Sequence, residues 1–140
     1  MNKKYLIEAL HKVGCSVTVV PAFTTAEEIK ALSPNGVVLA GGAGNPAENA
    51  KVIENVKALM GEIPMLGIDM GHLVMALAQG GTVEKMKHGH HGGNQPAREM
   101  GSLRTFITAQ NHNYVVLSDS VASGKRSFYN ANDNSCEGMD

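Results

Sequence analysis

Apolar residues recur at helical spacing in Tyr5, Leu6, Ala9, Leu10 and Val13, which predicts a helix, and Gly14 marks its end. Ser16 to Val20 is a β-branched run that predicts a strand, stopped by Pro21. Thr25-Ala-Glu-Glu28 has the spacing of a capping box and predicts a short helix through Leu32, before a turn at Ser33-Pro34-Asn35-Gly36. Gly36 to Ala40 has almost no polar alternation, the pattern of a strand covered on both faces. After the loop Gly41-Gly-Ala-Gly44, Asn45 fits an N-cap, Pro46 the first helical position and Glu48 the third, opening a helix to Met60 with Gly61 beyond its end. Pro64 to Ile68 predicts a second buried strand, and Gly71 to Ala78 a helix closed by Gly80-Gly81.

Strand and helix thus alternate up to about residue 80, which implies a parallel sheet with helices on both faces. Beyond it the character changes. Thr82–Lys87, Leu103–Ala109 and Tyr114–Ser118 predict strands separated by Gly- and Asn-rich loops. There is no internal repeat or low-complexity linker, so residues 1–140 are expected to form one domain.

Composition narrows the partners more than the fold. The 140 residues are 43% hydrophobic and 18% charged, ordinary for a globular domain. A formal net charge of -1 gives no electrostatic basis for nucleic acid or an anionic membrane surface. No apolar stretch approaches the roughly 20 residues that span a bilayer. The basic start, Met1-Asn2-Lys3-Lys4-Tyr5, lacks a signal-peptide apolar core. Two cysteines suggest reduced thiols in a cytoplasmic protein, with Cys15 as a small core residue at a strand start and Cys136 open to solvent in a polar tail. Met60, Met65, Met70, Met75 and Met86 read as core fillers.

The chemistry concentrates at Gly67-Ile68-Asp69-Met70-Gly71-His72, where a buried strand passes directly into a helix. A residue in such a turn projects its side chain at the carboxyl end of the sheet. The flanking glycines let backbone pass closely, and the helix N-terminus offers N–H groups to an anion. That arrangement suits a nucleophile beside an oxyanion site.

The chain resembles the class I glutamine amidotransferases, and within them the glutaminase domain of carbamoyl-phosphate synthase small chains. The resemblance runs through Gly14-Cys15 with Val-Thr-Val-Val-Pro21, Thr25 to Glu28, Gly42-Ala-Gly-Asn-Pro46, Gly67 to His72, Met86-Lys-His-Gly-His-His-Gly-Gly-Asn94, Ile107-Thr-Ala-Gln-Asn-His112 and Glu137-Gly138. It implies a three-layer, flavodoxin-like α/β fold with a mostly parallel sheet, here truncated at both ends. It also implies no cofactor, glutamine hydrolysis through a cysteine thioester, and delivery of ammonia to a synthetase large chain that makes carbamoyl phosphate. Pyrimidine and arginine biosynthesis are the implied pathways.

Several positions depart from the family pattern. Asp69 stands where the family has its cysteine, and a carboxylate is a weak nucleophile toward an unactivated amide. Its charge also opposes the oxyanion that must form there. The family's His-Pro-Glu base motif is not found before Asp140, and neither His72 nor His112 corresponds to it. Leu73 replaces a glutamine, and Asn113-Tyr114 replaces Gly-Phe. Gly42, Gly44, Met70, Leu73, Asn111, Asn113 and Tyr114 are therefore expected to form a vestigial glutamine-binding surface. The family's strand ahead of the first helix has no counterpart before Tyr5. The remaining strands then close up, a partner fills the gap, or the chain is part of a longer product.

The resemblance implies a catalytically impaired domain that docks on the synthetase large chain, with L-glutamine as its ligand if any and self-association at an open sheet edge. An active glutaminase in a natural full-length form, and a stand-alone binding protein that reuses the pocket, stay open beside it. His88, His90, His91 and His112, with an Asp69–His72 pair, invite a metal reading. The expectation is instead that no metal binds and that His90-His91-Gly-Gly-Asn94 is a glycine-rich loop near the active site and the subunit boundary. Gly41 to Gly44 carries neither a dinucleotide fingerprint nor a Walker lysine, so it reads as an oxyanion loop.

Overall fold

The computed structural model describes residues 3–140; Met1 and Asn2, the start of the basic N-terminus, lie outside it. The elements follow in order as α1 (Lys3–Lys12), α2 (Ala26–Ala31), β1 (Val37–Leu39), α3 (Ala50–Leu59), β2 (Met65–Gly67), α4 (Met70–Ala78), β3 (Thr82–Glu99), β4 (Thr105–Leu117), β5 (Arg126–Asn130) and β6 (Cys136–Met139). β1 and β2 pair in parallel, Val37 opposite Met65 and Leu39 opposite Gly67. The other four strands form an antiparallel sheet in the order β4-β3-β5-β6.

α4 joins the two sheets. Five of its residues, Gly71, Leu73, Val74, Ala76 and Ala78, are buried. Leu73 and Ala76 pack with Val116, Val121 and Cys136 from the antiparallel side. Val74 and Ala78 pack with Val56 of α3, flanked by Leu39, Met60, Met65, Met70 and Met75. A helix apolar on both faces is the one a domain buries between layers. Four of the five methionines expected as fillers serve here; Met86 is half-buried and belongs to neither cluster.

The capping box forms as expected. Thr25 Oγ1 accepts from Glu28 N at 3.3 Å, and Thr25 N donates to Glu28 Oε2 at 2.8 Å. Asn45 caps as expected too, with its Oδ1 accepting from Ala47 N at 3.1 Å. The helix it opens is interrupted, however: Pro46–Glu48 is a 3-10 turn and α3 starts at Ala50.

Other expectations need correcting. Ser16 to Val20 forms no strand, because no neighbouring strand offers it hydrogen bonds, and Val19 is left 70% exposed. Cys15 is exposed rather than a core residue, while Cys136 is buried in β6 rather than open to solvent. β1 and β2 are only half-buried, with Leu66 53% exposed, so neither is covered on both faces. More of the strand content is antiparallel than the alternation up to residue 80 implied, since β3 and β4 run unbroken through segments that read as loops. Gly89 and Gly92 have φ of 68° and 122°, and register shifts flank them between Lys85 and His90 and between Gly92 and Gln95. The glycines make bulges inside a strand rather than a loop between strands. β5 and β6 were not anticipated from the sequence. No helix among the described residues is long and apolar enough to cross a membrane.

Candidate functional site

β2 ends at Gly67, and within two residues the chain enters α4. Asp69 sits at the turn with φ 57° and ψ −117°, a conformation that costs a non-glycine residue of order 1–3 kcal/mol. The surroundings hold it there. Ile68 N donates to Leu39 O at 3.0 Å, and Asp69 O accepts from His72 N at 3.0 Å. A Cβ on Gly71 would run into the Leu39 carbonyl, and one on Gly67 into the Gly71 backbone, so only glycine lets strand, helix and β1 approach this closely. A Cβ on Gly41 would lie 2.5 Å from Asp69 Oδ2, which places the carboxylate directly against the Gly41–Gly44 loop. Gly42 faces Met70 across the same seam.

Asp69 itself is exposed and makes no capping hydrogen bond to α4. No hydrogen bond or ion pair joins its carboxylate to an imidazole among the described residues. His72, three residues on, is turned inward. Its ring borders a cleft of about 130 Å³ between β2 and the C-terminal strand. Its Nε2 is buried without a hydrogen-bond partner. Burial first, and then the nearness of His112, push its pKa below the ordinary histidine value, so that protonating His72 is disfavoured.

The expected glutamine-binding residues divide into two groups. Gly42, Gly44, Asn111 and Asn113 are exposed and Met70 half-buried, whereas Leu73 is buried in the core and Tyr114 packs against it. His91 bridges the two asparagines: its Nδ1 lies 2.7 Å from Asn111 Oδ1 and its Nε2 3.1 Å from Asn113 Oδ1.

A second concentration of polar groups lies on the inner face of the antiparallel sheet. His90 and His112 are direct partners across β3 and β4, and Glu137 of β6 reaches both. The sequence marks the two histidines as possible ligands, Gln110 and Glu137 only as parts of the family resemblance, and Asn130 and Asp133 not at all. The available signal was the alternation in β4, where Thr108, Gln110 and His112 share one face at a period of two. Cys136, next to Glu137, is no nucleophile: burial pushes its thiol pKa up, and Sγ lies 3.6 Å from Gly138 O.

The whole of residues 1–140 matches the family model for glutamine amidotransferase class-I. The chain belongs to the class-I glutamine amidotransferase family. Among curated relatives it is similar to the carbamoyl phosphate synthase small chain of Staphylococcus haemolyticus, 46% identical over 122 residues, covering 87% of this chain and 33% of that one. The chloroplastic small chain of Oryza sativa is 44% identical over 138 residues, covering 98% and 31%. The chain thus spans about a third of the length of these relatives and is homologous to their amidotransferase part. Among solved structures, a Thermoplasma acidophilum protein assigned as a GMP synthase subunit superposes with TM-score 0.83 at 23% identity, covering 100% of this chain and 72% of that one. A Thermotoga maritima glutamine amidotransferase gives TM-score 0.75 at 17% identity, covering 96% and 64%. These two likenesses establish the amidotransferase fold.

Proposed function

We propose that the chain is the amidotransferase-like part of a carbamoyl phosphate synthase small chain in which glutamine hydrolysis is impaired. The observation that carries this reading is Asp69, a carboxylate held in the strained strand-to-helix turn where the family keeps a thiolate. The turn and its glycines support a retained scaffold. The chemistry at its tip does not support amide cleavage: the group is a poor nucleophile, no imidazole among the described residues hydrogen-bonds it, and its charge repels the anion that attack would create. In this reading the chain is cytoplasmic and docks on the synthetase large chain as a structural or regulatory part. Carbamoyl phosphate synthesis then draws on free ammonia.

The test is ammonia release from L-glutamine by the purified chain, expected at background and unchanged by Asp69→Ala. Asp69→Cys alone is expected to form no glutamyl thioester by mass spectrometry, because no imidazole hydrogen-bonds residue 69 among the described residues. Release above background that Asp69→Ala abolishes would overturn the impaired reading. Failure to co-purify with the large chain would remove the docking role.

A further inference from the structure

We propose that His90, His112 and Glu137, with the Gln110 side-chain carbonyl as fourth donor, form a binding site for a divalent transition metal, best suited to Zn²⁺. His90 Nε2 lies 2.8 Å from Asp133 Oδ2, and a carboxylate only accepts, so Nε2 holds a proton; Nδ1, 3.0 Å from Glu137 Oε1, is the nitrogen whose proton a metal would replace. His112 Nδ1 lies 2.9 Å from the Tyr114 carbonyl, so Nδ1 holds the proton and Nε2 presents a lone pair. Gln110 Nε2 donates to Glu137 Oε2 at 2.8 Å and to Thr108 Oγ1 at 3.0 Å, which fixes the amide with Oε1 pointing the other way.

These fixed orientations aim acceptors at one another. His90 Nδ1 and His112 Nε2 are 3.2 Å apart. Gln110 Oε1 lies 3.1 Å from the first and 2.9 Å from the second. Glu137 Oε1 lies 3.0 Å from His90 Nδ1, and Glu137 Oε2 3.9 Å from His112 Nε2. Asn130 Nδ2 donates its two hydrogens to Glu137 Oε1 at 3.1 Å and Gln95 Oε1 at 3.3 Å, and lies 3.5 Å from His90 Nδ1. Neither hydrogen reaches His112 Nε2 or Gln110 Oε1. Four atoms able to accept therefore converge on at most one shared proton, around a carboxylate whose side chain is only 8% exposed. A buried charge of that kind calls for a counter-charge.

The spacing fits a metal. Ligands about 2.0–2.1 Å from a tetrahedral Zn²⁺ are separated from one another by roughly 3.3 Å. The separations above, each taken to the nearer Glu137 oxygen, run from 2.9 to 3.9 Å and bracket that value, and one ligand atom each from His90, His112 and Glu137 lie within 4.8 Å of one another. Two imidazoles and two oxygens are an ordinary donor set for the ion. The outer shell is also in place: Asp133 holds His90, the Tyr114 carbonyl holds His112, and Asn130 holds Glu137, as metal-ligand partners commonly do. Four protein donors and no open position describe a structural site, one that would cross-link β3, β4 and β6. His88, exposed on β3, takes no part.

The experiment is a zinc titration of the chelator-dialysed chain in competition with a chromophoric chelator, repeated with Co²⁺. The expected result is one tight equivalent, visible Co²⁺ bands of four-coordinate intensity, and a Tm that rises with Zn²⁺ and falls in EDTA. Glu137→Gln, which keeps the shape and removes the charge, is expected to weaken binding at least about tenfold. His88→Ala and His11→Ala, at exposed histidines, are expected to leave it unchanged. If Glu137→Gln fails to fold by circular dichroism, the position of the anomalous zinc peak in a crystal decides: a peak between His90 and His112 supports the site. A peak elsewhere, binding that tracks His88 or His11, or no saturable binding overturns it, and a shared proton then holds the cluster together.

Discussion

α1 and α4 are both helices whose apolar spacing is plain in the sequence, yet they end in opposite environments. α4 buries five residues between two sheets, whereas α1 buries none: Tyr5 is 68% exposed, and Val13, just past its end, is 76% exposed. The segment after α1 is similar, with Val19 and Phe23 each 70% exposed. Periodicity settles that a helix forms and which face is apolar. It does not supply the surface that face packs on. α4 has strands on both sides because the turn at Asp69 drops it directly onto β1 and β2, and the hairpin β3–β4 returns over its other face.

This contrast predicts a gradient of mutational effects. The largest belongs to the layer between α3 and α4. Leu59 is 1% exposed, and Leu59→Ala is expected to cost about 2–5 kcal/mol in urea unfolding, through lost burial and the cavity left behind. A cost below 1 kcal/mol would mean that the middle layer is no better packed than the N-terminal region.

His72 comes next, and its effect depends on pH. The native protein disfavours its protonation, with a pKa below the ordinary value of 6.5, because of burial and then the nearness of His112. The unfolded chain therefore binds more protons. The associated stability is fully present above pH 6.5 and is lost as pH falls through that value toward the lowered native pKa. His72→Leu removes this proton uptake and an orphaned buried nitrogen together. It should leave stability at pH 7.5 unchanged or higher. It should also flatten the decline between pH 7 and pH 5 by at most about 1.4 kcal/mol per pH unit. An unchanged slope in denaturation curves across that range would show that His72 is protonated freely in the fold.

The smallest effect belongs to the turn that ends α1. Val13→Ser, at a surface position, should change stability by no more than about 0.5 kcal/mol. A larger loss would show that this face is covered in solution, and would bring the two helices closer in kind than their exposures suggest.

How much was legible in the chain follows the same division. Local chemistry could be read directly. The Thr25 capping box, the Asn45 cap, the glycine-flanked turn at Asp69 and the helix after it all depend on neighbours within four residues, so sequence contains their cause. Asp69 itself, a carboxylate at the turn, is plain in the chain. Pairing was less legible. Ser16 to Val20 has strand propensity without a strand beside it, and His90 to Asn94 looks like a loop because glycines that make bulges and glycines that make turns are alike in composition. The polar cluster was the least visible part. His90, His112 and Glu137 come from three strands up to 47 positions apart in the numbering, and only the sheet register brings His90 opposite His112.

The sequence by itself determined the family, the strained turn and the carboxylate at its tip, because these rest on residue identity and short-range geometry. The tertiary structure decided which apolar faces were covered and which lone pairs were aimed at one another. Both outcomes depend on strand pairing, where long-range hydrogen bonds and packing outweigh local preference.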